Sequence, residues 1–87
     1  MVKAYVLANC ETGAEKHVLD ELRTISCVKE AHGIMGAYDI MVEIESISRE
    51  ELNKIIALRI RKIQMIKSTL TLVGMDDQNN STYQKIK

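Results

Sequence analysis

Hydrophobic residues recur along this chain at two spacings, and the order in which those spacings succeed one another leaves few folds open. Residues 2–9, VKAYVLAN, alternate imperfectly and are rich in strand-forming residues. In TGAEKHVLDELRTI the spacing lengthens: Val18, Leu22 and Ile25, with Leu19 beside them, repeat as one side of a helix. Glu15, Lys16, Asp20, Glu21 and Arg23 lie largely off that stripe. CVKEAHGIM, residues 27–35, returns to strand character, and Gly36 ends it, because glycine takes the positive φ angles a tight reversal demands. AYDIMVEIES, residues 37–46, is the clearest strand. Tyr38, Ile40, Val42 and Ile44 fall on one face, with Asp39, Met41, Glu43 and Glu45 on the other. Leu52, Ile55, Ile56, Ile60 and Ile63 then mark a second amphipathic helix, and IKSTLTLVG, residues 66–74, a fourth strand. Thr12 with Glu15, and Ser48 with Glu51, have the spacing of capping boxes at the two helix starts.

The order β-α-β-β-α-β predicts an α+β, ferredoxin-like domain: a four-stranded antiparallel sheet with two helices on one face. The domain is expected over residues 1–75. Residues 76–87 are polar and without period, and read as a C-terminal tail, mobile or docked on a neighbour. Two helices cover only one face of such a sheet. The other would carry Tyr5 or Ala4, Met41, Met65, Thr69 and Val73, depending on register. That mixture is too apolar for exposure, and large apolar patches mark interfaces, so a homo-oligomer with meeting sheet faces is expected.

Composition narrows the function. At 87 residues the chain is one domain near the lower end of self-sufficient size. Twelve basic and twelve acidic side chains cancel, which removes the global field that would draw nucleic acid or an anionic membrane. Three tyrosines are the only aromatic residues, too few for a base-stacking platform. The basic run RIRK, Arg59 to Lys62, closes the second helix, where it complements the helix dipole; direct DNA binding is not expected. Apolar runs fall far short of the about 20 residues of a membrane span, and the N-terminus lacks the zones of a signal peptide. A cytoplasmic location with Cys10 and Cys27 as reduced thiols is therefore expected.

The chemistry-bearing residues are scattered. His17, His32, Cys10 and Cys27 share no close ligand spacing, so no metal or other cofactor is expected. Cys27 and His32, five residues apart in one strand, would point to opposite faces and make no nucleophile–base pair. Asp20–Glu21, Glu50–Glu51 and Asp76–Asp77 read as solvated charge. There remains MGAYD, Met35 to Asp39, where a carboxylate sits just past a turn at the mouth of a buried strand. A buried carboxylate requires a partner. Either Asp39 caps the chain's own backbone donors, as aspartate does in turns, or it belongs to a small polar pocket. In the second reading the backbone at Gly36–Tyr38 receives a ligand's carboxylate, Asp39 pairs with its ammonium, and nearby apolar residues select its side chain.

The segments VKAYVLAN, ETGAEKHVLDEL, VKEAHGIMGAYDIMVEIE and TLTLVGMDD resemble, in that order, the effector-sensing domain of the Lrp/AsnC family of leucine- and asparagine-responsive regulators. The resemblance runs from about Val2 to Asp77, and its most specific part is V-K-E-x-H…G-x-Y-D. It implies the stand-alone form of that domain, the RAM domain, because the family's helix-turn-helix DNA reader does not precede the first strand. It also implies a dimeric α/β barrel of two face-to-face sheets, a ring of dimers (typically an octamer), and amino-acid effectors held between dimers. On this resemblance the effector's charged ends meet Gly36, Ala37, Tyr38 and Asp39. Ile34 and Met35 line the approach, and Thr69, Thr71, Leu72 and Val73 lie on the strand that affects effector response. Met35 stands where a serine or threonine is common, and Gly74 replaces a branched residue; both alter the pocket's edge. The implied function is a non-enzymatic amino-acid sensor that self-assembles and modulates partner regulators, including full-length Lrp/AsnC proteins. Two rivals stand beside it: a structural self-assembly unit with Asp39 paired to protein, and a small dimeric α/β-barrel enzyme using His32 and Tyr38.

Overall fold

The computed structural model describes residues 1–75 and 82–86. Strand β1 (Val2–Cys10) is followed by helix α1 (Glu15–Leu22), strands β2 (Val28–Gly33) and β3 (Ile40–Ser46), and helix α2 (Arg49–Ile55). The helix runs on through a wide turn at Ile56–Ile60 into strand β4 (Ile66–Met75), and β5 (Thr82–Ile86) follows. The sheet is antiparallel in the order β2-β3-β1-β4-β5. Its first four strands and two helices are the ferredoxin-like arrangement that the two spacings predict. The fifth strand lies within the segment read as a tail: residues 82–86 pair with Thr71–Met75 of β4. Residues 76–81 and 87 lie outside the described residues.

Strand alternation fixes the core. Ala4, Val6, Ala8 and Cys10 of β1, Ile40, Val42 and Ile44 of β3, and Ala31 of β2 are buried on one face. They pack with Val18 and Leu22 of α1 and with Leu52, Ile56, Ile60 and Ile63 of the second helical segment. The open face carries Tyr5, Leu7, Met41, Leu70 and Leu72 in a contiguous patch, since Leu7 pairs with both Met41 and Leu70, and Tyr5 with Leu72. Beside it Lys3 lies 3.6 Å from Glu43 and 3.9 Å from Glu45. Tyr5 and Met41 thus stand where the sequence put them. Of the alternatives Tyr5 and Ala4 the register selects Tyr5, but Thr69 and Val73 do not follow the expectation: the pairs Ala4–Val73, Val6–Thr71 and Ala8–Thr69 turn them toward the helices, and Leu70 and Leu72 take the open face. Met65 precedes β4 in a loop.

The two helix starts differ. Ser48 Oγ accepts from Glu51 N–H at 3.2 Å, as its spacing predicts. Thr12 caps nothing. Glu11 to Ala14 form a turn closed by the Ala14 N–H on the Glu11 carbonyl at 3.0 Å, with Gly13 at φ +86°, and α1 begins after Ala14. The glycine's left-handed conformation moves the helix start past the residue that would have capped it. At the end of the second helical segment the Arg61 N–H donates to Ile56 O at 2.9 Å, five residues back. Leu52, Ile56 and Ile60 recur every four residues, more than the about 3.6 of an α-turn. The wide turn takes up the excess and keeps all three on the core.

Candidate functional site

Gly33 leaves β2, and a six-residue turn, Ile34–Asp39, leads into β3. The Ile34 N–H donates to the Asp39 carbonyl at 2.8 Å, closing the turn, and the Asp39 N–H donates to the Ala8 carbonyl at 3.0 Å, fixing the turn to β1. Gly36 has φ +138°, a conformation essentially reserved for glycine, and a Cβ there would touch nothing within 4 Å. Backbone geometry alone therefore demands glycine at this place. The N–H groups of Gly36, Ala37 and Tyr38 donate to no acceptor among the described residues.

Asp39 finds its partner in the chain itself. Its Oδ2 accepts from the Cys10 N–H at 3.0 Å, just beyond the last β1–β3 pair, Ala8–Ile40, where no strand carbonyl among the described residues claims that N–H. On the other edge of β1 a bulge, with Asn9 facing Ser68 but Cys10 facing Ile66, leaves Lys67 as an extra residue in β4. The Asn9 amide adds a second partner, since its surroundings fix its orientation. With its NH2 toward the two acceptors, Nδ2 lies 3.0 Å from the Ala37 carbonyl and 3.3 Å from Asp39 Oδ2, while Oδ1 accepts from Ser68 Oγ at 3.3 Å. Asn9 was not among the residues singled out from the sequence. A polar residue interrupting β1 at its turn-facing end was the only signal, and its partners lie in segments remote in sequence.

The other residues divide. Met35 is fully exposed at the turn tip, Ala37 is exposed, and Ile34, Tyr38 and Asp39 are half-buried. Thr69 pairs with Ala8, the residue that receives the Asp39 N–H, so it stands in the row next to the turn. Thr71 and Val73 are 1% exposed beneath the helices, farther along the strand, and the Thr71 hydroxyl has no hydrogen-bond partner among the described residues. Leu72 is on the open face opposite Tyr5. The fold therefore gathers Ile34–Asp39 and Thr69 at one end of the sheet, and separates Thr71, Leu72 and Val73 from them.

Elsewhere the titratable groups are dispersed. No group of three or more His, Cys, Asp or Glu residues able to hold a metal occurs among the described residues. Cys10 and Cys27 are free thiols. Burial pushes the Cys10 thiol up, helped by the negative charges of Glu15, Asp39 and Glu11. Burial also raises Cys27, against its own backbone hydrogen bond and the charges of Arg59 and Lys29. His32 and Tyr38 stand on different segments: His32 pairs with Met41 in the sheet, and Tyr38 belongs to the turn. No helix among the described residues is long and apolar enough to cross a membrane.

The sequence profile of the Lrp/AsnC ligand binding domain matches residues 3–83. The chain is 30% identical over 60 residues to an uncharacterized HTH-type transcriptional regulator of Pyrococcus furiosus, covering 69% of this chain and 40% of that protein. It is 38% identical over 71 residues to a homocitrate synthase of Sulfurisphaera tokodaii, covering 80% of this chain and 15% of the synthase. The chain thus spans well under half the length of these curated relatives. Among solved structures, FFRP-DM1 superposes with a TM-score of 0.83 at 33% identity, over 86% of this chain and 100% of that one. With a profile match over nearly its whole length and a fold shared with FFRP-DM1, this chain belongs to the Lrp/AsnC family as its ligand binding domain.

Proposed function

We propose that this domain senses a small amino acid at the Ile34–Asp39 turn and self-assembles through its open sheet face. One observation carries the reading: the N–H groups of Gly36, Ala37 and Tyr38 have no acceptor among the described residues and belong to the same turn as Asp39. An α-amino acid presents the complement of that pair, a carboxylate for the N–H groups and an ammonium for Asp39. A carboxylate offers about four lone-pair sites, and the two contacts found here both fall on Oδ2, so capacity for an ammonium remains. Ile34, Met35 and Thr69 would border the effector's side chain.

The patch of Tyr5, Leu7, Met41, Leu70 and Leu72 supports the assembly half of the reading. Two such faces would bury each other as a dimer, and dimers meeting near the turn would enclose the effector, forming a ring of octamer type. A face that matches its own copy also suits relatives of like sequence, so full-length Lrp/AsnC regulators in the cytoplasm are the proposed partners. The role is regulatory rather than catalytic: a match to 15% of a synthase speaks for a shared domain and assigns no reaction to it.

A second reading has one observation in its favour. Asp39 is already bonded to Cys10 and Asn9, which a purely structural turn would also need. A thermal-shift and calorimetric screen against the common amino acids separates the two. An effector at about a hundredfold its Kd adds about 2.7 kcal/mol to stability. A shift confined to one or a few amino acids supports the sensor, and no shift with any of them supports the structural unit.

A further inference from the structure

The geometry points to Asn9 as the residue that orients the Ala37–Tyr38 peptide, turning the Tyr38 N–H outward to receive the effector's carboxylate. This assignment rests on the effector reading of the turn and names which of its donors is set for the anion, and by what.

The inference begins with the Ala37 carbonyl, which accepts from Asn9 Nδ2 at 3.0 Å. A trans peptide is planar, and its carbonyl and the following N–H point in opposite directions. Holding the Ala37 oxygen toward β1 therefore holds the Tyr38 N–H away from β1, on the outer side of the turn, where no protein acceptor meets it. The Ala37–Tyr38 plane turns about Ala37 ψ and Tyr38 φ, in a turn whose backbone bonds among the described residues lie only at its ends, Ile34 N–H to the Asp39 carbonyl and Asp39 N–H to the Ala8 carbonyl. Without an anchor the plane would tilt about those two bonds and carry the Tyr38 N–H off the direction of the incoming anion. Asn9 supplies that anchor, and it is itself held: its second amide hydrogen lies toward Asp39 Oδ2, and its Oδ1 takes the Ser68 hydroxyl. The same amide thus fixes the carboxylate that would meet the ammonium. The two ends of an amino acid would be read by groups set through one side chain, at a spacing determined by β1.

Asn9 is a positioning residue in this account and need not touch the effector. Its test separates orientation from general loosening of the fold. L-Leucine, L-methionine and L-glutamine, each beside its α-carboxamide, are titrated calorimetrically into the unsubstituted protein and into Asn9→Ala, Asn9→Asp and Ser68→Ala. The carboxamide keeps the ammonium and side chain but removes the anion. Asn9→Asp keeps the side chain's size while removing both donors. The expected result is at least tenfold weaker binding of the carboxylate form in both Asn9 variants, with the carboxamide changed less than threefold, and an intermediate loss in Ser68→Ala. In nitrogen-15 spectra the Tyr38 amide resonance should move on adding the carboxylate form to the unsubstituted protein, and stay in place in Asn9→Asp. If Asn9 variants weaken carboxylate and carboxamide alike, or leave both unchanged, the assignment to Asn9 is overturned while the effector site stands. Should the unsubstituted protein bind none of the three, and none of the other common amino acids, the effector reading itself fails.

Discussion

Asp39 Oδ2 and the backbone N–H of Cys10 meet at 3.0 Å across 29 residues of sequence, joining the entrance of β3 to the end of β1 at the β-bulge. The bond is charge-assisted and part-buried, so removing its acceptor leaves a donor short of a partner. Asp39→Ala should therefore lose about 1.5–3 kcal/mol in urea unfolding. Asp39→Asn keeps an oxygen acceptor and should recover about half of that loss. Equal losses in the two variants would mean that the charge, rather than the Cys10 bond, matters.

The two helix starts offer a matched pair. Ser48→Ala removes a cap that is made and should cost about 1 kcal/mol. Thr12→Ala removes a hydroxyl that caps nothing, and should stay within about 0.5 kcal/mol of the parent. Denaturant midpoints at constant m-value decide the comparison.

Gly36 meets no neighbouring atom where a Cβ would stand, so any cost of Gly36→Ala is backbone strain at φ +138°. A loss of about 1–3 kcal/mol is expected, measured by thermal or chemical unfolding. The turn should also rearrange, visible as shifted amide resonances confined to residues 34–39. An unchanged stability would show that the turn adopts another conformation at no cost.

On the open face, Leu7 pairs with Met41 on one side and Leu70 on the other, at the centre of the apolar patch. Leu7→Asp should weaken self-association roughly 30-fold or more, equivalent to about 2 kcal/mol for a central interface residue. Sedimentation velocity across a dilution series reads the change, while far-UV circular dichroism should hold, since the face lies opposite the core. A monomer at every concentration in the unsubstituted protein would count against face-to-face assembly.

Both thiols are raised above the ordinary cysteine range, so less thiolate is present at neutral pH and alkylation should be slower than for a free cysteine. The linkage has a definite sign. A group raised in the folded state contributes stability that is fully present below its unfolded pKa and lost as pH rises through the folded one. Unfolding free energy should therefore fall in the alkaline range above the free-thiol value. Cys10→Ala should flatten part of that fall, as followed by urea titrations at stepped pH.

How much of this the sequence reveals depends on the segment. The alternation in Ile40–Ser46 and the Ser48–Glu51 spacing are unambiguous, because each polar residue there either faces solvent or makes the contact its spacing implies. Strand β4 is different: in IKSTLTLVG both alternating sets contain apolar residues, and the inward set carries Thr69 and Thr71. Periodicity is silent on register in such a strand, which is why Val73 and Thr69 were expected on the wrong face. The edge strand Thr82–Ile86 is held by ladder bonds to β4 and needs no hydrophobic period, so its composition reads as a tail. For the candidate site, the turn and Asp39 could be located from MGAYD. Asn9 could not, because its contacts with Ala37, Asp39 and Ser68 join segments remote in sequence and leave no local signature.

The wide turn at Ile56–Ile60 amounts to a single residue of slack within a helical segment. Ala57, Leu58 and Arg59 lie outward on it, while Ile56 and Ile60 on either side stay in the core. Deleting one of those outward residues would let the backbone close as an ordinary α-turn with Ile60 and Ile63 still facing inward. An insertion or deletion elsewhere in the helix would instead rotate the whole apolar stripe off the sheet. Length variation between relatives of this fold therefore has a natural place to occur, one that leaves the sheet, its open face and the Ile34–Asp39 turn undisturbed.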